Sequence, residues 1–426
     1  MGRMGRPAFT GFLTAPEKAA ETGVHFGADF AGWDSLLGRG IERSGVIAPG
    51  RTYVVDPAGG LEAFCSLFAV ATVPDTVLLW TSPATIGVGV RELAPALSEL
   101  EQPFLESVDR PLWGVATSGS SGVPKIAIGH ADMWELIALH YEQAIFGGEL
   151  PASLATCLPL QFSAAFFMTV LPSLMRRRDL IVFPSHDWSA VRRAGEAFVL
   201  AVPSLAAAAC LGLREKVDMR GVTLFLGGGH LSESRVELIR ERFSGVAVAN
   251  IYGTAETGAI SVDRAPGHNK HVGRPLAGKA VWISDPDPNG IGMIRVAGPD
   301  CCEYIWRPGA EFTAGNGGTD YGHFDGDGNL CLQGRADGGE KFMGVLVYPR
   351  DIERHLLELR GVVDARVLVE RTPAGLERLV AKVVGRVSDE DVYAHCAALA
   401  EAQRPTRIEC IDEIAAGAAY SDNGKL

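Results

Sequence analysis

The sequence contains no run of about 18 uninterrupted apolar residues, because Pro, Arg or Asp breaks each of the longest candidates, and a membrane-spanning helix is therefore not expected. Between Pro7 and Gly23 the apolar core of a signal peptide, about 7–15 residues long, is also missing, so a cytoplasmic location is expected. Eight cysteines are scattered without a CxxC pair, which argues against a zinc or dithiol redox centre. The adjacent Cys301 and Cys302 suit neither a disulfide nor chelation, and reduced thiols are expected. Clustered basic residues are scarce as well. A formal net charge of −12 speaks against nucleic acid or an anionic membrane as the main partner, since both need Lys and Arg to neutralise phosphates. The triplet Arg176, Arg177 and Arg178 reads as a solvated loop. No polar low-complexity tract and no internal repeat is visible, which excludes a disordered chain, a solenoid and a propeller.

What is present is a globular composition, 47% apolar and 21% charged, in a chain of 426 residues. Single hydrophobic cores stop growing at about 250–300 residues, so two domains of unequal size are predicted. From Arg51 to about Lys382, short β-rich apolar runs alternate with helix-period segments, the pattern of an α/β architecture. Leu61, Phe64, Cys65 and Phe68 form one helical stripe, and VTLFL at 222–226 reads as a buried strand. Val236, Leu238 and Ile239 sit on a helix capped by Ser232, and ANIYG at 249–253 is the next strand. After the glycine-dense GRADGGEKFMG at 334–344 the pattern changes. Ile352, Leu356 and Leu359 mark a short helix, residues 365–369 and 379–383 alternate like half-exposed strands, and 389–401 reads as a helix. The domains expected are thus 1–336 and a compact α+β unit over 337–426.

The segment TSGSSGVPK at 117–125 gathers hydroxyls and glycines ahead of a lysine. Thr117, Ser118, Gly119, Ser120, Ser121 and Gly122 can turn backbone N–H groups and hydroxyls toward one polyanion, with Lys125 adding a point charge. A P-loop requires Gly-Lys-Ser/Thr at its end, whereas Val123 and Pro124 separate Gly122 from Lys125 here. Taken alone, such a loop could be no more than a flexible connector. Its sequence, however, resembles the Thr/Ser-Ser-Gly-Ser/Thr-Ser/Thr-Gly-x-Pro-Lys signature of the AMP-forming superfamily of acyl- and aryl-CoA synthetases, luciferases and nonribosomal-peptide adenylation domains. Further elements of that family follow in order, and the resemblance runs from about 115 to the C-terminus.

LPLQFSAAFF at 158–167 is similar to the family's acid-pocket segment and places Phe162 beside the bound acid. LGGGHL at 226–231 resembles the Gly-Gly-Ala-Pro-Leu turn, so Gly228 and Gly229 would pack against adenine and the acid, with His230 as a turn residue. YGTAETG at 252–258 resembles Tyr-Gly-x-Thr-Glu. Tyr252 and Gly253 would then lie against adenine, and Glu256 would hold the Mg²⁺ that bridges ATP phosphates. Ala255 replaces the family's threonine and removes a hydroxyl that reaches phosphate in relatives. GGTDYGHFDGDGNLCLQGRAD at 317–337 resembles Thr-Gly-Asp followed by Gly-Arg-x-Asp: Asp320 would accept the ribose hydroxyls, Arg335 would donate to ribose or phosphate, and Asp337 would be the hinge. Asp325 and Asp327 read as a hairpin turn. Gly344 matches the glycine beside which a pantetheine arm passes, Leu346 replaces a frequent arginine, and Lys425 in NGKL matches the lysine that reaches the carboxylate and α-phosphate.

The resemblance implies an α/β fold, with a large N-terminal adenylate-forming domain of sheets flanked by helices and a small mobile α+β C-terminal domain. It implies an enzyme that uses ATP and Mg²⁺ to activate an aryl or acyl carboxylic acid as acyl-AMP, then passes the acyl group to the thiol of CoA or of a phosphopantetheinyl acyl carrier protein. The alternatives are adenylation alone, transfer to a non-thiol acceptor, or a non-catalytic nucleotide-binding scaffold.

Overall fold

A computed structural model of the chain describes residues 21–101, 112–116, 125–267, 271–307, 312–315, 320–335, 340–342, 345–371 and 377–411. Many of its strands are short and buried along their whole length, as in Val77–Trp80, Ser153–Thr156 and Ala197–Ala201. Such runs suit parallel strands covered on both faces. In the first sheet six strands, Gly23–Phe26, Asp179–Val182, Ser153–Thr156, Ala197–Ala201, Val222–Leu226 and Ala247–Thr254, pair in parallel. Antiparallel strands extend this sheet at both edges, with Gly258–Asp263 and Arg274–Pro275 on one side and Asp29–Gly32 on the other.

A second large sheet runs through Thr52–Val55, Val77–Trp80, Leu112–Ala116 and Ile126–His130 at its centre. An aromatic-rich core takes Phe198 and Phe225 from the first sheet, Tyr53, Trp80 and Trp113 from the second, and Phe64, Phe68 and Trp134 from the helices Leu61–Ala71 and Trp134–Ala144. The opposite face of the first sheet is covered by the helices Pro203–Leu211 and Glu233–Arg242. A four-stranded antiparallel sheet, Ala280–Ser284, Gly292–Ala297, Asp320–Phe324 and Leu330–Arg335, lies beside these layers. The C-terminal part has a separate core, in which the helix Pro349–Leu357 packs its Ile352, Leu356 and Leu357 on the strands Val362–Arg371, Glu377–Gly385 and Arg407–Ile411.

The α/β class, the helix over 61–71, the strand over 222–226 and the Ser232 cap agree with the sequence reading. Four details differ. Arg176 ends a helix and pairs with Glu135 and Glu142, and Arg177 pairs with Asp34, so these two are tied down rather than solvated. The last predicted helix stops at Cys396, where the N–H groups of Ala397, Ala398 and Leu399 bond the carbonyls three residues back and tighten the chain into a turn. The helix carrying Ile352 and Leu356 ends at Leu357, before Leu359. The strand through ANIYG does not stop at Gly253 but runs on to Thr254. The expected boundary at 336/337 lies outside the described residues. All eight cysteines are free thiols.

Candidate active site

The carboxyl ends of the parallel strands converge on one edge of the first sheet, the position where open α/β sheets bind ligands. The strand Val222–Leu226 ends at this edge in the glycine turn. Gly228 adopts φ +74°, a conformation that side chains rarely take. Gly227, which the sequence reading passed over, is the glycine of closest contact: a Cβ there would stand 2.7 Å from the Ile251 carbonyl oxygen. The turn is thereby pressed against the neighbouring strand Ala247–Thr254, which carries Tyr252. Tyr252 Oη donates to Asp320 Oδ2 at 2.6 Å, joining the first sheet to the four-stranded one. Asp320 in turn faces Arg335 across the antiparallel ladder. Three of the expected nucleotide residues, far apart in sequence, are therefore brought together.

Phe162 forms a parallel bridge with Ala116, the last described residue before the 117–124 segment, and packs against the main core. Its backbone is set by a turn in which Phe162 N–H donates to the Pro159 carbonyl at 3.0 Å. After the short helical turn Ser163–Ala165 come five residues in a wider π-helical turn, Phe166–Val170. Such turns concentrate at functional sites. Lys125 stands at the head of the strand Ile126–His130. Thr117, Ser118, Gly119, Ser120, Ser121, Gly122, Asp337, Gly344 and Lys425 lie outside the described residues, as does the side chain of Arg335.

Glu256 sits in the hairpin between Ala247–Thr254 and Gly258–Asp263, half-buried, and its carboxylate has no partner among the described residues. The loop beneath it is held from three directions. Cys302 N–H donates to the Glu256 carbonyl at 2.8 Å, and Lys279 Nζ donates to the Thr257 carbonyl at 2.5 Å. Tyr141 Oη accepts from Ala259 N–H at 3.3 Å and donates to Asp300 Oδ2 at 2.6 Å. Lys279 and Asp300 form an ion pair whose side chains have no solvent exposure. Burial, and then the Asp300 charge, push the Tyr141 phenol well above its ordinary value, so it stays a donor. Sequence reasoning missed this Tyr141, Lys279 and Asp300 brace. The only available signal was a lysine and an aspartate at otherwise unremarkable positions.

The hydroxyls that flank Ala255 are engaged with each other. Thr254 Oγ1 and Thr257 Oγ1 bond each other at 2.9 Å, and Thr257 is buried. As for a metal, no group of three or more His, Cys, Asp or Glu able to hold one occurs among the described residues. A single carboxylate with no partner among the described residues suits Mg²⁺, which is usually bound by one or two carboxylates and completes its shell with phosphate oxygens and water. A separate cleft of about 650 Å³, lined by Trp113, His130, Trp282, Arg295 and Glu303 among others, contains none of the expected site residues.

His230 follows the glycine turn. The surrounding protein, then the positive charges of Arg235 and Arg354, hold its imidazole below its ordinary value, at about 4, although the residue is exposed at the surface. It is therefore neutral near pH 7.

Residues 74–306, more than half of the chain, match the family of AMP-binding enzymes, and the chain belongs to that family. Its superfamily includes acyl-CoA ligases and nonribosomal-peptide adenylation domains. The chain is similar to the 4-coumarate–CoA ligase-like 5 protein of Oryza sativa subsp. japonica, at 26% identity over 300 residues, 66% of this chain and 53% of that protein. It is also similar to the dimodular nonribosomal peptide synthase of Bacillus subtilis (strain 168), at 26% identity over 321 residues, 69% of this chain and 13% of that protein. The chain thus spans about half or less of the length of these curated relatives. Among solved structures, ATP-bound MatB from Rhodopseudomonas palustris superposes with a TM-score of 0.71 at 19% identity, covering 96% of this chain and 95% of that one. The shared fold therefore includes the C-terminal subdomain.

Proposed function

We propose that the protein is an AMP-forming ligase that activates an aryl or acyl carboxylic acid with ATP and hands the acyl group to a thiol, that of CoA or of a phosphopantetheinyl carrier protein. The observation that carries this reading is the 2.6 Å hydrogen bond between Tyr252 and Asp320. It sets an aromatic ring and a buried carboxylate side by side next to the glycine turn, as an adenosine site requires. A carboxylate oxygen attacks the α-phosphorus; the new O–P bond forms as the bond to the bridging oxygen breaks and pyrophosphate departs. The thiolate sulfur then attacks the acyl carbon, a C–S bond forms, the C–O bond to phosphate breaks, and AMP leaves. Both steps depend on positioning and charge stabilisation rather than on a protein nucleophile.

In this reading Tyr252, Gly228, Gly229 and Gly253 line adenine, Asp320 and Arg335 hold ribose, and Phe162 lies against the acid. The 117–122 segment and Lys125 bind phosphates, and Lys425 serves the carboxylate and α-phosphate. Glu256 holds Mg²⁺, which supplies positive charge to the ATP phosphate oxygens when bound. Asp337 and Gly344 serve the hinge and the thiol path. ATP–pyrophosphate exchange across a panel of aryl and aliphatic acids tests the first half. Addition of CoA, a phosphopantetheinylated carrier or an amine then reads the acceptor. No exchange with any acid at saturating Mg²⁺ overturns the reading.

A further inference from the structure

Arg235 occupies the third position of the helix Glu233–Arg242, and its own N–H is already engaged by the Ser232 cap. A cation in the first turn opposes the helix dipole, and this one is almost fully buried, with 4% of its side chain exposed. Helix stability does not explain such a residue; its partners do. Nη1 donates to the His230 carbonyl at 2.5 Å, on the glycine turn of the large domain. Nε donates to the Val363 carbonyl at 2.6 Å, and Nη2 pairs with the Asp364 carboxylate, both in the C-terminal subdomain. The planar guanidinium thus ties the two parts together at three acceptors with fixed directions.

The C-terminal side is shaped for this contact. The ladder between Val362–Arg371 and Glu377–Gly385 shifts register between Val362 and Asp364, and Val363 falls in the irregularity. A bulge of this kind turns a backbone carbonyl out of the ladder and re-aims the next side chain. Asp364 Oδ1 also accepts from Ala365 N–H at 2.9 Å, which fixes the carboxylate. Two lesser contacts flank it: Gly361 N–H donates to Ser234 Oγ at 3.1 Å, and Arg354 donates to the Gln333 carbonyl at 2.7 Å.

We propose that Arg235 is a positioning residue that couples docking of the C-terminal subdomain to the shape of the Gly227–Leu231 turn. The inference rests on the reading of that turn as part of the adenylate site. One guanidinium bonds the turn through His230 and the subdomain through Asp364, so any ligand that favours the bonded shape of the turn favours docking. Docking favours that ligand by the same factor. The geometry assigns the residue no contact with the reacting atoms.

The test uses the whole chain with Mg²⁺ and α,β-methylene-ATP, and small-angle X-ray scattering to read the docked fraction. In the wild type the nucleotide raises that fraction, and docking tightens nucleotide binding. Asp364→Asn removes the charge that Arg235 faces, and the nucleotide-induced shift is lost. Nucleotide affinity weakens by on the order of tenfold, while the two half-reactions, acyl-AMP formation and acyl transfer, change by different factors. Because Asp364→Asn leaves a buried cation, a second variant, Arg235→Met with Asp364→Leu, removes both charges; it folds and also lacks the nucleotide-dependent shift. An equal shift in wild type and both variants overturns the inference, as does an equal loss in the two half-reactions. Absence of pyrophosphate exchange in the wild type would sink the ligase reading instead. The scattering and nucleotide-affinity measurements do not depend on turnover, so the two failures are distinguishable.

Discussion

Lys279–Asp300 and Arg235–Asp364 are both cation–carboxylate pairs withdrawn from water, but they hold different kinds of structure. The first lies wholly inside the large domain with no exposure on either side chain, and it braces the loop of Glu256 through the Thr257 carbonyl and Tyr141. The second crosses from the helix Glu233–Arg242 to the C-terminal subdomain, and its side chains keep 4% and 12% exposure. If the subdomain undocks as proposed, water would return to the second pair, whereas the first would be rehydrated only by unfolding. The same chemistry would then serve as a fixed buttress in one place and as a separable contact in the other. Removing one partner of the buttress strands a charge in the core, and removing one partner of the contact would be relieved by opening.

The largest expected effect is on the buttress. Lys279→Met leaves Asp300 unpaired at zero exposure and should destabilise the fold by about 3–5 kcal/mol, read from urea unfolding. Adding Asp300→Asn, which keeps an acceptor for Tyr141, should recover most of that loss. The double variant still lacks the donor to Thr257, so its Mg²⁺ requirement in pyrophosphate exchange should rise even though its stability has returned. Unchanged stability in the single variant would show that the charges are not buried as described.

Glu256→Gln comes next, and its effect is on rate rather than stability. The amide keeps the shape of the half-buried side chain and loses the charge that opposes a divalent cation, so exchange should fall by about a hundredfold. Unfolding should be unaltered, because the carboxylate has no partner among the described residues to lose. Exchange equal to wild type at saturating Mg²⁺ would remove Glu256 from the metal site.

Asp364→Asn should cost less than Lys279→Met, at most about 1–3 kcal/mol in subdomain docking, because the penalty of a stranded cation ends once Arg235 reaches water. Its signature is loss of the docked population with an unchanged unfolding midpoint for the large domain. A loss as large as that of Lys279→Met would erase the distinction between the two pairs.

The difference between the pairs also marks what a sequence can disclose. The strand Val222–Leu226, the Ser232 cap and the helix Leu61–Ala71 were readable because periodicity and capping are local. The order of family motifs nominated Tyr252, Glu256 and Asp320, and the structure brings Tyr252 and Asp320 into contact. Arg235 and Asp364 are 129 residues apart, and Tyr141 and Asp300 are 159 apart, so nothing nearby in the chain announces either pairing. A lysine at 279 looks like a surface residue until the fold buries it. The strands Gly23–Phe26 and Asp29–Gly32 escaped notice for a related reason: four residues each are too few to show alternation, and pairing with each other and with Asp179–Val182 defines them.

The smallest effect concerns pH and acts on the separable contact alone. His230 is held down at about 4 by its surroundings and by Arg235 and Arg354, and it would return toward the ordinary histidine value, about 6.5, once the subdomain moves away. The docked state therefore favours the neutral ring. Its contribution to docking is complete above about pH 6.5 and is lost progressively as pH falls toward 4. Asp351 tilts the other way: burial on the helix Pro349–Leu357 pushes its carboxyl up, so it favours protonation when packed. Lowering pH from 7 to 5.5 should reduce the docked fraction modestly through His230. His230→Asn, which cannot take up a proton, should flatten that slope and leave the docked fraction at pH 7 near its wild-type value, because the contact to Arg235 runs through the backbone carbonyl and not through the ring. A pH slope that survives in His230→Asn would move its origin to another group at the interface.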